Sequence, residues 1–190
     1  MSKVRLYLVR HGKTMFNTIG RAQGWSDTPL TAEGELGIHE LGIGLRESGL
    51  QFDRAYSSDS GRTIQTMGII LEELGLQGKI PYRMDKRIRE WCFGSFDGAY
   101  DGDLFMGLIP RIFNVDHVHQ LSYAELAEGL VEVDTAGWAE GWEKLSGRIK
   151  EGFEAIAKEM EEQGGGNALV VSHGMTIGTI VYLINGMHPH

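Results

Sequence analysis

The chain has 190 residues, of which 42% are hydrophobic and 23% charged, with a formal net charge of −8. That length gives about one domain with a real core. The acidic balance excludes a non-specific binder of nucleic acid or anionic membrane, which needs an excess of Lys and Arg facing phosphates. One cysteine, Cys92, cannot form an internal disulfide and fits a reducing compartment. The apolar run at 4–9 is broken by Arg5 and closed by Arg10, too short for a signal-peptide core or a membrane span. A cytoplasmic location is the expectation.

In chain order, V-R-L-Y-L-V (4–9) predicts a strand. Residues 31–49 predict a helix capped by Thr31, with Leu36, Leu41 and Leu45 as its apolar positions and five glycines weakening it. A strand is expected at 52–58, a helix at 63–75 ending on Gly75, and a short strand at 80–84 whose Pro81 marks a sheet edge. Residues 99–133 read as an irregular insertion, or lid, with its own apolar cluster. A long helix is expected over 134–163, with Trp138, Trp142, Leu145, Ile149, Phe153, Ile156 and Met160 on its packing face. After G-G-G-N come a strand at 168–172 and a helix at 176–184. Strands alternating with helices predict an α/β fold, a mainly parallel sheet covered on both faces. No boundary divides residues 1–190, so a single catalytic domain is expected.

In such a fold ligands collect at the carboxyl ends of the strands. The first strand ends in Arg10-His11-Gly12, the second at Ser57-Ser58 with Arg62 just beyond, and the strand at 168–172 in Ser172-His173-Gly174. Two arginines and two histidines should therefore share one edge. Arginine forks match phosphate oxygens, and a neutral imidazole can attack phosphorus and then leave. Glycines after both histidines let backbone N–H groups approach an anion. The G-G-G run precedes a strand, where a phosphate loop would follow one. The chemistry implied is phosphoryl transfer without a metal or cofactor.

The stretches R-H-G-K-T-M-F-N-T-I-G-R-A-Q-G-W-S-D-T-P-L-T-A-E-G (10–34), S-S-D-S-G-R-T-I-Q-T (57–66), R-E-W-C-F-G-S-F-D-G (89–98) and V-S-H-G (171–174) resemble the histidine phosphatase superfamily, in its phosphoglycerate-mutase-like branch. The motifs fall in the family's order and span most of the chain. The resemblance implies a three-layer α/β/α sandwich and a phosphohistidine intermediate. It implies His11 as nucleophile, Arg10 and Arg62 as phosphate clamps, and His173 as the second histidine on the phosphoryl group. Asn17 would line the pocket, Gln23 and Gly24 would close over the phosphate, and Glu90 would protonate the leaving oxygen. Gly174 follows the second histidine at the same pocket. Arg21 either reaches substrate or pairs with an acidic neighbour such as Asp27. Two cationic neighbours should also hold the His11 pKa below the usual 6.5 or so.

In mutases of this branch the general acid is followed by an arginine, a histidine and a tyrosine, then a lysine. Here those positions are Trp91, Cys92, Phe93 and, approximately, Asp101. The resemblance therefore favours a phosphatase acting on a small, modestly charged or partly apolar phosphate ester. A phosphoglycerate mutase or sugar-bisphosphatase would need Lys13, Arg21 or Arg111 to supply the missing charge. A protein that binds phosphorylated ligands without turnover is the third reading, and the filled catalytic positions count against it. Other readings of the same residues are plainer. Glu90 could be half of an exposed ion pair with Arg89, and Asn17 only a helix cap. His117 and His119 could touch a metal but read as incidental, and Cys92 reads as a packing residue. No metal site, nucleic-acid partner or membrane partner is expected, and a homodimer is left open. Family members continue through one more strand, so a C-terminal strand is expected beyond N-G-M-H-P-H.

Overall fold

A computed structural model describes residues 3–186. The apolar runs become four strands, β1 (Val4–Arg10), β2 (Arg54–Ser57), β3 (Tyr82–Met84) and β4 (Gly166–Ser172). They pair parallel in the order β1-β4-β2-β3, so the β3 strand that follows Pro81 lies at an edge. Successive side chains leave opposite faces of a strand. Val4, Leu6, Leu8, Ala168 and Val170 accordingly join one core, and Tyr7, Val9, Leu169 and Val171 the other.

The helices are α1 (Met15–Thr18), α2 (Ala32–Glu47), α3 (Gly61–Glu73), α4 (Ile109–Phe113), α5 (Tyr123–Val133), α6 (Trp142–Glu162) and α7 (Gly174–Asn185). α2 and α3 cover one face through Ile38, Met67, Ile70 and Leu71. α6 and α7 cover the other through Leu145, Ile149, Phe153, Ile156, Met160 and Ile180. This is the expected three-layer sandwich.

Three local expectations are corrected. Leu41 and Leu45 of α2 pack against the core as expected, but Leu36 is 60% exposed, and the fully buried stripe is Gly34, Ile38 and Gly42. The glycines there are a packing device: a Cβ on Gly34 would lie 2.1 Å from the Lys13 carbonyl oxygen, and one on Gly42 2.6 Å from Glu73 Cβ. The stretch 99–133 is largely helical: a π-helical segment (Gly102–Leu108) runs into α4, and a 3₁₀ turn (Val118–Gln120) precedes α5. Its apolar side chains, Leu104, Ile109, Leu126, Ala127 and Leu130, belong to the main core and form no separate cluster.

The long helix starts at Trp142, not at 134. The Asp134 carboxylate accepts the backbone N–H groups of Ser95, Ala136, Trp138 and Ala139, which holds that stretch as a loop. Trp138 is consequently 69% exposed, whereas Trp142 packs against Trp91, Tyr123 and Tyr182. The expected C-terminal strand lies outside the described residues. Among the described residues no helix is long and apolar enough to cross a membrane.

Candidate active site

The β1–β4 register pairs Arg10 with Ser172, so His11 and His173 leave neighbouring strand ends side by side. Their ring centroids are 5.3 Å apart. His11 is 8% exposed, and its Nδ1 lies 2.8 Å from the Gly12 carbonyl oxygen. A carbonyl only accepts, so the proton sits on Nδ1 and the Nε2 lone pair is free. The Gly12 N–H donates to Thr66 Oγ1 at 3.0 Å, and a Cβ there would meet Ile38 Cγ1 at 2.8 Å. The turn carrying His11 is thus pinned against α2 and α3. Burial pushes the His11 pKa down to about 4; the Gly12 hydrogen bond opposes this, and the Arg62 and Arg10 charges reinforce it. The ring is a neutral base at physiological pH.

Arg62, the second residue of α3, is fully buried. One terminal nitrogen donates to the Ser26 carbonyl at 2.9 Å and to Asp27 Oδ1 at 2.8 Å. The other donates to the Gly24 carbonyl at 2.8 Å and to His173 Nδ1 at 3.0 Å. Because guanidinium is a donor only, His173 Nδ1 accepts and the ring proton sits on Nε2, 2.7 Å from Ser58 Oγ. Burial, and then the Arg62 charge, hold the His173 pKa well below the usual range. Arg62 Nε is buried with no partner, a donor in need of an acceptor. Arg10, the last residue of β1, is exposed. Gly174, the first residue of α7, lies against the Arg10 guanidinium, which a Cβ there would meet at 3.4 Å.

The loop between α1 and α2 closes the other side. Asn17 stands at the third position of α1, where its Oδ1 accepts the Thr14 N–H at 3.2 Å. The helix-cap role expected for it is therefore present, with its amide nitrogen left to donate. Gln23 is 8% exposed and held between Thr14 Oγ1 at 2.6 Å and Thr28 Oγ1 at 2.9 Å. Gly24 donates its N–H to Asp97 at 2.8 Å, and a Cβ there would lie 2.3 Å from the Trp91 carbonyl oxygen, so only glycine fits. Arg21 does not pair with Asp27, which Arg62 has taken. It donates to the Gly98 carbonyl and lies 4.4 Å from the centre of the Tyr100 ring.

Glu90 is 6% exposed, and the expected alternative of a surface pair with Arg89 fails because Arg89 grips Asp59 at 2.6 Å. Its Oε1 accepts the N–H groups of Trp91 and Thr176 at 3.0 Å and lies 3.0 Å from the Thr176 hydroxyl. Oε2 accepts the Met175 N–H at 3.1 Å. Burial raises the Glu90 pKa, while these donors limit the rise by favouring the charged form. A carboxyl so poised can both give and take a proton.

Residues 6–190 match the model of the histidine phosphatase superfamily (branch 1). The chain belongs to that superfamily. It is 32% identical over 186 residues to the "Probable phosphoglycerate mutase GpmB" of Salmonella choleraesuis, covering 97% of this chain and 76% of the relative. The phosphoglycerate mutase structure from Bacillus anthracis str. Sterne superposes with a TM-score of 0.90 at 37% identity, covering 97% of this chain and 82% of that one. A "putative alpha-ribazole-5'-P phosphatase" from Escherichia coli superposes with a TM-score of 0.70 at 25% identity, covering 97% and 81%.

For a superfamily member, the residues after Glu90 are informative. Trp91, Cys92 and Phe93 are at most 4% exposed. Trp91 Nε1 donates to Thr179 Oγ1 at 3.0 Å, and the Phe93 ring packs edge-on against Phe105 at 5.5 Å. Cys92 is buried, its thiol pKa pushed up, as a packing residue would be. Burial also raises the Asp101 carboxyl. Lys13 is paired with Glu33 at 2.7 Å. Arg111 is exposed on α4. His117 and His119 are exposed around the 3₁₀ turn, and among the described residues no three His, Cys, Asp or Glu side chains group to hold a metal ion. A cavity of about 480 Å³ opens between Trp25, Ser26, Cys92, Gly94, Asp97 and Trp138.

Several residues take supporting roles that the sequence did not assign them. Ser58, Thr66 and Asp27 serve His173, Gly12 and Arg62. Asp97 gathers the N–H groups of Gly24, Ser26 and Phe93. Arg148 left one signal: it falls among Leu145, Ile149 and Gly152 on the buried stripe of α6.

Proposed function

We propose that the chain is a metal-independent phosphomonoester hydrolase working through a phosphohistidine on His11. The ester's phosphate oxygens are gripped by Arg10 and Arg62. His11 Nε2 attacks phosphorus in line, the bond to the ester oxygen breaks, and that oxygen takes the Glu90 proton. The phosphorylated ring becomes cationic, and its Nδ1–H keeps the Gly12 carbonyl as acceptor. Glu90, now a carboxylate, takes a proton from water as that water attacks phosphorus. Inorganic phosphate leaves, and both His11 and Glu90 return to their starting forms.

The observation that carries hydrolysis over mutation is the fate of Trp91, Cys92 and Phe93. Where a mutase would set cations for a second anionic group, this chain buries two aromatic rings and a thiol. Of the replacements, Lys13 is engaged in an exposed pair with Glu33, Arg21 donates to the Gly98 carbonyl and stacks on Tyr100, and Arg111 stands exposed on α4. Each missing charge-assisted contact is worth about 1.5–3 kcal/mol, which disfavours doubly anionic substrates. Among the relatives, one is named for alpha-ribazole-5'-P phosphatase activity, while two of higher identity are named phosphoglycerate mutases.

The test is a panel of phosphomonoesters in buffer with a chelator. Phosphate release from p-nitrophenyl phosphate and from apolar alkyl phosphates, at rates above any interconversion of 3- and 2-phosphoglycerate primed with the bisphosphate, is expected. Faster interconversion would replace the hydrolase with a mutase. Tight vanadate binding without turnover anywhere on the panel would leave a binding protein.

A further inference from the structure

The segment that carries Glu90 has no sheet or helix to hold it beyond a single 3₁₀ turn, Lys86–Ile88. Yet every carbonyl from Arg87 to Glu90 accepts a hydrogen bond from a side chain of another element. Ser172 Oγ, at the end of β4, donates to the Ile88 carbonyl at 2.8 Å. Thr176 Oγ1, on α7, donates to the Arg89 carbonyl at 2.8 Å, and Trp25 Nε1 to the Glu90 carbonyl at 2.9 Å. Arg148, on α6, spans three of the four: one terminal nitrogen donates to the Arg87 carbonyl at 2.8 Å and the Arg89 carbonyl at 3.1 Å, the other to the Glu90 carbonyl at 3.3 Å.

Arg148 is itself fixed. Its Nε lies 3.0 Å from both Glu140 oxygens, and a terminal nitrogen lies 2.5 Å from Oε2. The Glu140 side chain is 2% exposed and that of Arg148 14%. A buried pair of this kind adds little stability over an apolar one, because both charges must be desolvated. A planar fork that grips a carboxylate along one edge and three carbonyls along the others is, however, something an apolar pair cannot supply.

We propose that the Arg148–Glu140 pair is a positioning device for the general acid: it sets the backbone of residues 87–90 so that the Glu90 carboxyl meets the leaving oxygen. Neither residue touches substrate. The proposal rests on Glu90 acting as the acid, and the experiment separates the two claims. Protonation matters for an alkyl leaving group and hardly at all for 2,4-dinitrophenolate, which departs unprotonated. The value of kcat/KM reports steps up to formation of the phosphohistidine, so the ratio between these two substrates isolates the acid.

Removing Arg148 alone would strand a buried carboxylate, so the variant to use is Arg148→Met/Glu140→Gln, with Arg148→Lys as a milder change that keeps the charge and loses the fork. A displacement of the acid by an ångström costs about 100-fold. The double variant should therefore lose about 10- to 100-fold in kcat/KM on an alkyl phosphate and less than about threefold on 2,4-dinitrophenyl phosphate. Arg148→Lys should show the same selectivity at smaller size. Glu90→Gln is the reference and should show the selective loss in full. Equal losses on both substrates in the Arg148 variants, or no loss on either, with Glu90→Gln still selective, would overturn the positioning role. A Glu90→Gln enzyme that loses both substrates equally would instead overturn Glu90 as the acid.

Discussion

His11 and His173 look alike in the sequence: each directly follows a strand, each precedes a glycine, and their strands are neighbours. Both rings are buried and both have depressed pKa values. They differ in the second nitrogen. His11 gives its Nδ1–H to Gly12 and keeps Nε2 free, whereas His173 spends Nδ1 on Arg62 and Nε2 on Ser58. Burial alone makes a histidine a neutral base. In the proposed reaction, whether that base attacks or braces follows from which of its lone pairs the surroundings consume.

The difference can be tested by breaking each side. His11→Ala should abolish turnover, by about 10⁴-fold or more, because it removes the lone pair that the proposed reaction directs at phosphorus. Steady-state phosphate release measures it, and residual activity within tenfold of the parent would move the nucleophile elsewhere.

The pH dependence of stability comes next. The folded His11 pKa of about 4 lies below its ordinary value of about 6.5, so between these the unfolded chain binds the proton more readily. The stability tied to a neutral His11 is present above about pH 6.5 and is lost as pH falls toward 4, by about 3 kcal/mol in all. Denaturant unfolding of the parent and of His11→Asn across that range should show the gap closing by this amount. A pH-independent gap would mean the ring is not held neutral.

His173→Asn should cost about 100-fold, since Arg62 and Ser58 lose a buried partner without loss of the nucleophile. Its phosphoenzyme should still form on His11, only more slowly. A loss as deep as that of His11→Ala would erase the distinction between the two rings. At the far end, Lys13→Ala removes an exposed ion pair and should change kcat/KM by less than about threefold. A larger fall, specific to phosphoglycerates, would show that Lys13 supplies the charge a mutase needs.

The layered fold was legible in the sequence because its cues are local: apolar runs, Pro81 at an edge strand, glycines where strands turn into the site. The convergence of Arg10, His11, Arg62 and His173 followed from topology, since parallel strands bring their carboxyl ends to one edge. What each ring does with its nitrogens was not legible, because Ser58, Asp27 and the Gly12 carbonyl act through distances that no spacing encodes. The long helix was placed too early for a similar reason. Trp138 sits at helical spacing from Trp142, but the Asp134 carboxylate binds the very N–H groups a helix would need. Arg148 was hidden within an apolar stripe, and its partners lie on a segment almost 60 residues away.

In the proposed reaction His11 Nε2 carries the phosphoryl group on its way to water. Rapid mixing with p-nitrophenyl phosphate in chelator, an alkaline quench and mapping of the modified peptide tests it directly. A burst of nitrophenolate, with one phosphoryl group on His11 that decays to inorganic phosphate, is the predicted result. Turnover with no phosphorylated histidine, or with the group on His173, would contradict it.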